Sequence, residues 1–179
     1  MESLSSGIQY RHWPVDDAKA CVLLAHGLAE HTGRYEHVAA RFNERGVAVV
    51  GPDHIGHGAS PGARVYLKAF SEYLEPMQAL RARIDEWYPG RPVFLMGHSM
   101  GGLVSAHLLF ASQAAFQGAM LSGPAFHAVD PAPAPLLWVG RVLKKVLPKL
   151  GMVSLDANGV SRDPAVVADY LADPLVYNG

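Results

Sequence analysis

Four short apolar runs, at residues 20–25, 47–50, 92–96 and 118–121, alternate with stretches whose apolar residues recur at helical spacing. This alternation restricts the fold more than any other feature of the chain. The runs are continuous rather than every-other-residue, a pattern that suits strands covered on both faces. Buried strands separated by helices predict an α/β fold: a mostly parallel sheet, right-handed crossovers and helices on both faces. One helix is expected over 34–45, where Tyr35, Val38, Ala39 and Phe42 share a face and Gly46 ends it. Another is expected over 66–88, with Phe70, Tyr73, Leu74, Met77, Leu80, Ile84 and Trp87 as its stripe, and Pro76 should bend or split it. A third covers 99–112. Ligands bind such sheets at the carboxyl ends of the strands, so the loops that begin at His26, Asp53, Gly97 and Ser122 form the functional edge.

At 179 residues and 50% hydrophobic composition, the chain can bury one core. Its formal net charge of -1 excludes a general nucleic-acid binder, which needs a basic excess. Cys21 is the single cysteine, so no intrachain disulfide can form, as suits a reducing compartment. Residues 1–6 lack the basic and apolar regions of a signal peptide, and the run at 20–25 is far too short to cross a bilayer. The expected location is cytoplasmic.

After Gly123 the composition shifts to a proline-rich linker and then a basic amphipathic stretch. Leu136, Val139, Leu143 and Leu147 share one helical face there, Arg141, Lys144 and Lys145 lie off it, and Pro148 ends it. A last helix is expected over 164–171, with Asp163 as N-cap and Pro164 in its first turn. The chain thus divides into 1–125, a core, and 126–179.

Within the core, Gly97-His98-Ser99-Met100-Gly101 reads G-x-S-x-G at a strand-to-helix junction, the setting of a nucleophile elbow. A strand that turns at once into a helix strains the serine backbone, and neighbours without Cβ let the chains pass closely. The helix N-terminus offers free N–H groups and a partial positive charge where an oxyanion would form, so the N–H of Met100 is one expected donor. The second should come from the loop after the first buried strand. The rival reading is a small-residue turn that only packs helix on strand. A phosphate loop is disfavoured because G-x-x-x-x-G-K-[ST] is absent. His26, His54 and His57 read as loop-shaping residues that bond backbone. His54-Ile55-Gly56-His57 has the look of a metal pair, but no H-E-x-x-H helix or carboxylate-rich partner accompanies it, so no metal is expected. His98 should point away from the line of attack, and Cys21 should be a core residue.

Three motifs occur in order: His26-Gly27-x-x-Glu30-His31-x-x-Arg34-Tyr35, then 52–60 (Pro-Asp-His-Ile-Gly-His-Gly-Ala-Ser), then Gly97-His98-Ser99-Met100-Gly101-Gly102. Together they resemble the monoacylglycerol lipase and lysophospholipase branch of the α/β-hydrolases. The likeness runs from about Cys21 to the end, through Ser161-Arg162-Asp163-Pro164 and Asp173-Pro174-Leu175. It implies an α/β-hydrolase fold in which 126–179 is part of a lid. It further implies Ser99 as nucleophile, the backbone N–H groups of Leu28 and Met100 as oxyanion hole, and hydrolysis of lipid-like acyl esters through an acyl-enzyme without a cofactor.

The triad order of such enzymes is Ser, acid, His. After Ser99 the acids are Asp130, Asp156, Asp163, Asp169 and Asp173, and the histidines are His107 and His127, so every acid follows the last histidine. His107 lies eight residues along the same helix, about 12 Å up its axis at 1.5 Å per residue, and is out of reach. His127 enters the active-site edge after the fourth apolar run, as a base or as a lid-hinge contact to substrate. The expectation is therefore a chain that stops within the lid, before the last core strands. A missing C-terminal segment would complete the fold and supply acid and base, and without it the strand at 118–121 is an open edge. The alternative is a non-catalytic lipid-binding or interaction module of the same fold.

The amphipathic stretch at 136–147 is expected to act as a lid helix that docks on micelles or membranes peripherally. Replacing Leu143 and Leu147 with Ser should lower activity on micellar esters more than on short soluble esters; equal losses would mark an ordinary core-covering helix.

Overall fold

A computed structural model of the chain describes residues 1–127 and 157–177, apart from the side chain of Asn158. The stretch at 136–147, with Leu136, Val139, Leu143 and Leu147, lies outside the described residues. Among these, six strands form one sheet: β1 (Glu2–Ser3), β2 (Gln9–Trp13), β3 (Ala20–Ala25), β4 (Val47–Pro52), β5 (Val93–His98) and β6 (Gly118–Ser122), in the order β1-β2-β4-β3-β5-β6. The four strands expected from sequence pair in parallel, whereas β1 and β2 add an antiparallel edge that hydropathy did not reveal. In β2 only Tyr10 is fully buried among Gln9-Tyr10-Arg11-His12-Trp13, so no apolar run marks it. The described residues divide into two compact units, one of Met1–Ala125 with Leu175–Tyr177, the other taking in those between Phe126 and Pro174.

The helices are α1 (Glu36–Asn43), α2 (Ser71–Trp87), α3 (Met100–Ser112) and α4 (Pro164–Ala172). Alternate residues of β3 face opposite sides, which explains its unbroken apolar run. Cys21, Leu23 and Ala25 join Tyr73, Met77, Leu80 and Ile84 of α2 and Val104 and Leu108 of α3 in one core cluster. Val22 and Leu24 join Tyr35 and Ala39, at and within α1, in the other. Burying one such Leu or Val side chain stabilises by about 1.5–3 kcal/mol, so β3 anchors helices on both of its faces.

Two helix boundaries differ from expectation. The stretch at 34–45 opens as a 3-10 turn, Thr32–Tyr35, before α1 begins. The helix expected from 66 starts only at Ser71, because Glu72 Oε1 accepts the N–H groups of Lys68 and Ala69 at 2.7 and 2.8 Å and fixes them as its entry. Pro76 does not split α2: near the start of a helix its missing N–H forfeits one bond, to the Glu72 carbonyl, while Met77, Leu80 and Ile84 are fully buried and hold the rest. At α4, Asp163 caps the Ala165 N–H at 2.9 Å. β6 borders the sheet, with Met120 39% and Leu121 37% exposed.

Behind the carboxyl ends of β3 and β4 lies a buried histidine cluster. The His26 ring sits 4.4 Å from His54 and 5.4 Å from His57 by centroids, and Tyr73 of α2 closes it at 5.0 Å from His54. Burial drives the His57 pKa from 6.5 down to about 4; the His26 ring lowers it further, the bond to the Ile55 carbonyl opposes, Arg64 lowers and Asp53 raises it. The unfolded chain therefore takes up this proton first. The stability contributed by neutral His57 is whole above about pH 6.5 and drains as pH falls toward 4, by roughly 3 kcal/mol over the interval. Urea unfolding between pH 7.5 and 5 should show about 2 kcal/mol of this loss, with a shallower slope in His57→Gln; an unchanged slope would remove His57 as its source.

Candidate active site

The junction between β5 and α3 places Ser99 at φ 50°, ψ −117°, a left-handed backbone conformation that a non-glycine residue adopts only under constraint. Its own backbone supplies that constraint. The Ser99 N–H donates to the Ser122 carbonyl at the end of β6 at 3.0 Å, and its carbonyl accepts from Gly102 at 2.9 Å and Ala125 at 3.0 Å. The flanking glycines make the turn sterically possible. A Cβ on Gly97 would fall on the Gly101 carbonyl and Ser105 Oγ, one on Gly101 would fall on the Ala25 carbonyl, and one on Gly102 would lie 2.6 Å from Pro124 Cβ.

Ala25 is in register with Gly97, so the loops leaving β3 and β5 run side by side. The fit is tight: a Cβ on Gly27 would stand 3.3 Å from His98 Cδ2, and one on Gly101 would stand 2.5 Å from the His26 carbonyl. Three of the residues expected at the site, Ser99, Met100 and Leu28, thus come from adjacent strand ends. Among the described residues, neither the Leu28 nor the Met100 N–H donates to any acceptor, and the Ser99 hydroxyl makes no hydrogen bond. Met100 is the first residue of α3, where helix N–H groups have no partner in their own helix.

Two carboxylates, Glu30 partly buried and Asp53 fully buried, hold the Leu28 loop, and the sequence reading gave neither a role. Glu30 Oε1 accepts the Gly27 N–H and the Tyr35 hydroxyl, both at 2.6 Å, and its Oε2 pairs with Arg34 Nε at 3.2 Å. The three-residue spacing from Gly27 to Glu30, like a capping box, was the available signal. Asp53, fully buried at the end of β4, accepts the Thr32 N–H at 2.9 Å and hydroxyl at 2.5 Å, and the Ala59 N–H at 3.0 Å. Burial alone would raise its pKa, but these hydrogen bonds outweigh it and hold the carboxyl below its usual range.

His98 turns aside, its Nδ1 lying 3.1 Å from the Ser122 carbonyl oxygen. His107 sits on α3 with its ring 4.6 Å from that of Phe70, as a packing residue. His127 is exposed and belongs to the second unit. Cys21 is buried, with its thiol pushed up to about 11 by that burial. Among the described residues no group of three or more His, Cys, Asp or Glu is placed to hold a metal ion, and no helix is long and apolar enough to cross a membrane.

Comparison with known proteins places this geometry in a family. A family model described as "Serine aminopeptidase, S33" matches residues 16–179. The chain is 45% identical over 177 residues to a monoacylglycerol lipase of Mycolicibacterium smegmatis, covering 96% of this chain and 62% of that protein. It is 35% identical over 169 residues to the monoglyceride lipase of Homo sapiens, covering 93% and 55%. The crystal structure of Paleococcus ferrophilus monoacylglycerol lipase superposes with a TM-score of 0.80 at 30% identity, covering 96% of this chain and 64% of that one. The chain spans less than two thirds of the length of each of these relatives. With the strained serine between β5 and α3, a mostly parallel sheet and a family match over nearly its whole length, the chain belongs to the S33 serine hydrolase family and has the α/β-hydrolase fold.

Proposed function

We propose that this chain carries the nucleophile and oxyanion hole of a serine ester hydrolase acting on monoacylglycerol- or lysophospholipid-type esters. The observation that carries the reading is Ser99 at φ 50°, with the unbonded N–H groups of Met100 and Leu28 on the strand ends beside it. Ser99 Oγ attacks the acyl carbonyl carbon as its proton passes to a histidine base. The carbonyl oxygen becomes an oxyanion that the two N–H groups stabilise. Collapse expels the alcohol, which takes the proton back, and water then releases the fatty acid from the acyl-enzyme. The base and its carboxylate are assigned to sequence beyond residue 179, because every acid after Ser99 follows the last histidine and the chain spans 62% of its lipase relative from Mycolicibacterium smegmatis. Relatives named as lipases favour an ester over the peptide bond that the family's description suggests. Leu136, Val139, Leu143 and Leu147 are proposed as the lid face toward lipid, with peripheral membrane contact there, and His127 as a lid-hinge contact.

In the protein expressed from its full reading frame, a fluorophosphonate probe should label Ser99, and Ser99→Ala should lose labelling and at least about 10³-fold in monoacylglycerol hydrolysis. Labelling that persists in Ser99→Ala would place the nucleophile elsewhere, and lipid binding without labelling would favour a non-catalytic module. Residues 1–179 alone should show no more than residual turnover. They should also self-associate through the edge at β6, where Met120 and Leu121 are exposed. A monomeric 1–179 with ordinary esterase turnover, measured by size exclusion and p-nitrophenyl ester release, would reverse that assignment.

A further inference from the structure

The Leu28 N–H belongs to the peptide unit whose carbonyl is that of Gly27, and His26 grips that carbonyl. His26 Nδ1 lies 2.7 Å from the Gly27 oxygen, and its Nε2 accepts the backbone N–H of His54 at 2.9 Å. A backbone N–H can only donate, so Nε2 is the bare nitrogen and Nδ1 carries the hydrogen. The peptide bonds of the described residues are trans, and in a planar trans peptide the carbonyl oxygen and the next amide hydrogen point in opposite directions. A ring that fixes the Gly27 oxygen on one side therefore fixes the heading of the Leu28 N–H on the other.

We propose that His26 is a positioning residue that aims the Leu28 N–H at the oxyanion, in the tautomer set by the His54 backbone N–H. The proposal rests on the assignment of Ser99 and Leu28 made above. Several independent features support it. The ring is fully buried, and burial pushes its pKa down against the raising pull of Glu30, so it stays neutral and keeps Nε2 able to accept. A hydrogen bond to a peptide oxygen also polarises the amide and strengthens its N–H as a donor. Glu30 holds the preceding N–H, that of Gly27, and the Ala29 carbonyl accepts the Tyr177 N–H at 2.9 Å, so the peptide units entering Gly27 and leaving Ala29 are tethered as well. Through His54, the loop after β4 takes part in shaping the loop after β3.

Asparagine and glutamine separate the two ring nitrogens. An Asn amide places an N–H where Nδ1 sits, and a Gln amide places an oxygen where Nε2 sits. Each loses one of the two hydrogen bonds, so a purely structural role predicts equal effects. With the protein from its full reading frame and a short soluble p-nitrophenyl ester, His26→Asn is expected to lower kcat by about threefold. His26→Gln should lower it by about 30-fold or more with KM little changed, since a misaimed oxyanion donor costs transition-state rather than ground-state binding. Equal kcat losses, or a change in KM instead, would overturn the proposal. A readout that needs no variant is the ring ¹⁵N spectrum of the wild-type protein: Nδ1 protonated with Nε2 bare supports it, and the opposite tautomer or an imidazolium overturns it. Ser99→Ala separates the two layers. If Ser99→Ala abolishes turnover while Asn and Gln fall alike, only the aiming role fails; if Ser99→Ala stays active, the assignment of Ser99 fails and the proposal goes with it.

Discussion

The close approach of α3 to the end of β3 is the constraint on which the rest of the site depends. Gly101 lies so near the Ala25 and His26 carbonyls that no side chain fits between them. That contact, with Gly97 packed under Gly101, lets the chain reverse from strand to helix within one residue and leaves Ser99 at its strained φ. The strain is held by β6: the Ser122 carbonyl takes the Ser99 N–H, and Ala125 donates back to the Ser99 carbonyl. A helix that began one turn later would leave neither the strained serine nor the unbonded Met100 N–H beside it.

Around this junction the loops are tied together by buried and partly buried polar groups. Glu30 gathers Gly27, Tyr35 and Arg34, Asp53 gathers Thr32 and Ala59, and His26 bridges Gly27 and His54. The acceptor atoms of Glu30, Asp53 and His26 are each met by hydrogen-bond donors, the condition under which such groups order a loop instead of destabilising it. The cost of the arrangement falls on its pH range, because histidines buried in neutral form lose their advantage as acid protonates the unfolded chain first.

Much of the core was legible because its signals are local. The continuous apolar runs at β3 and β4 follow from burial on both faces, and G-x-S-x-G carries its steric reason within five residues. β5 is fully buried only at alternate residues, and the run at β6, expected to be covered on both faces, is instead largely exposed at the sheet edge. The Asp163 cap of α4 was equally readable. β2 was not, because its mixed side chains give no period, and its place is fixed by pairing with β4 across the sheet. The entry to α2 was misplaced because Glu72 captures the two N–H groups before it, and the proline within it was tolerated because tertiary burial outweighed one lost backbone bond.

The sequence by itself determined the layer order, the position of the serine and the need for glycine around it, since period and turn chemistry act between neighbours. It also determined that no acid precedes a histidine after Ser99 in these 179 residues, which is a matter of order alone. Only the tertiary structure decided which nitrogen of His26 holds its proton and which acid anchors the Leu28 loop. The first of these depends on the His26 ring meeting the His54 amide across the ends of two strands, 28 residues apart in the chain, and a hydrogen bond at 2.9 Å between them has no trace in the spacing of the sequence.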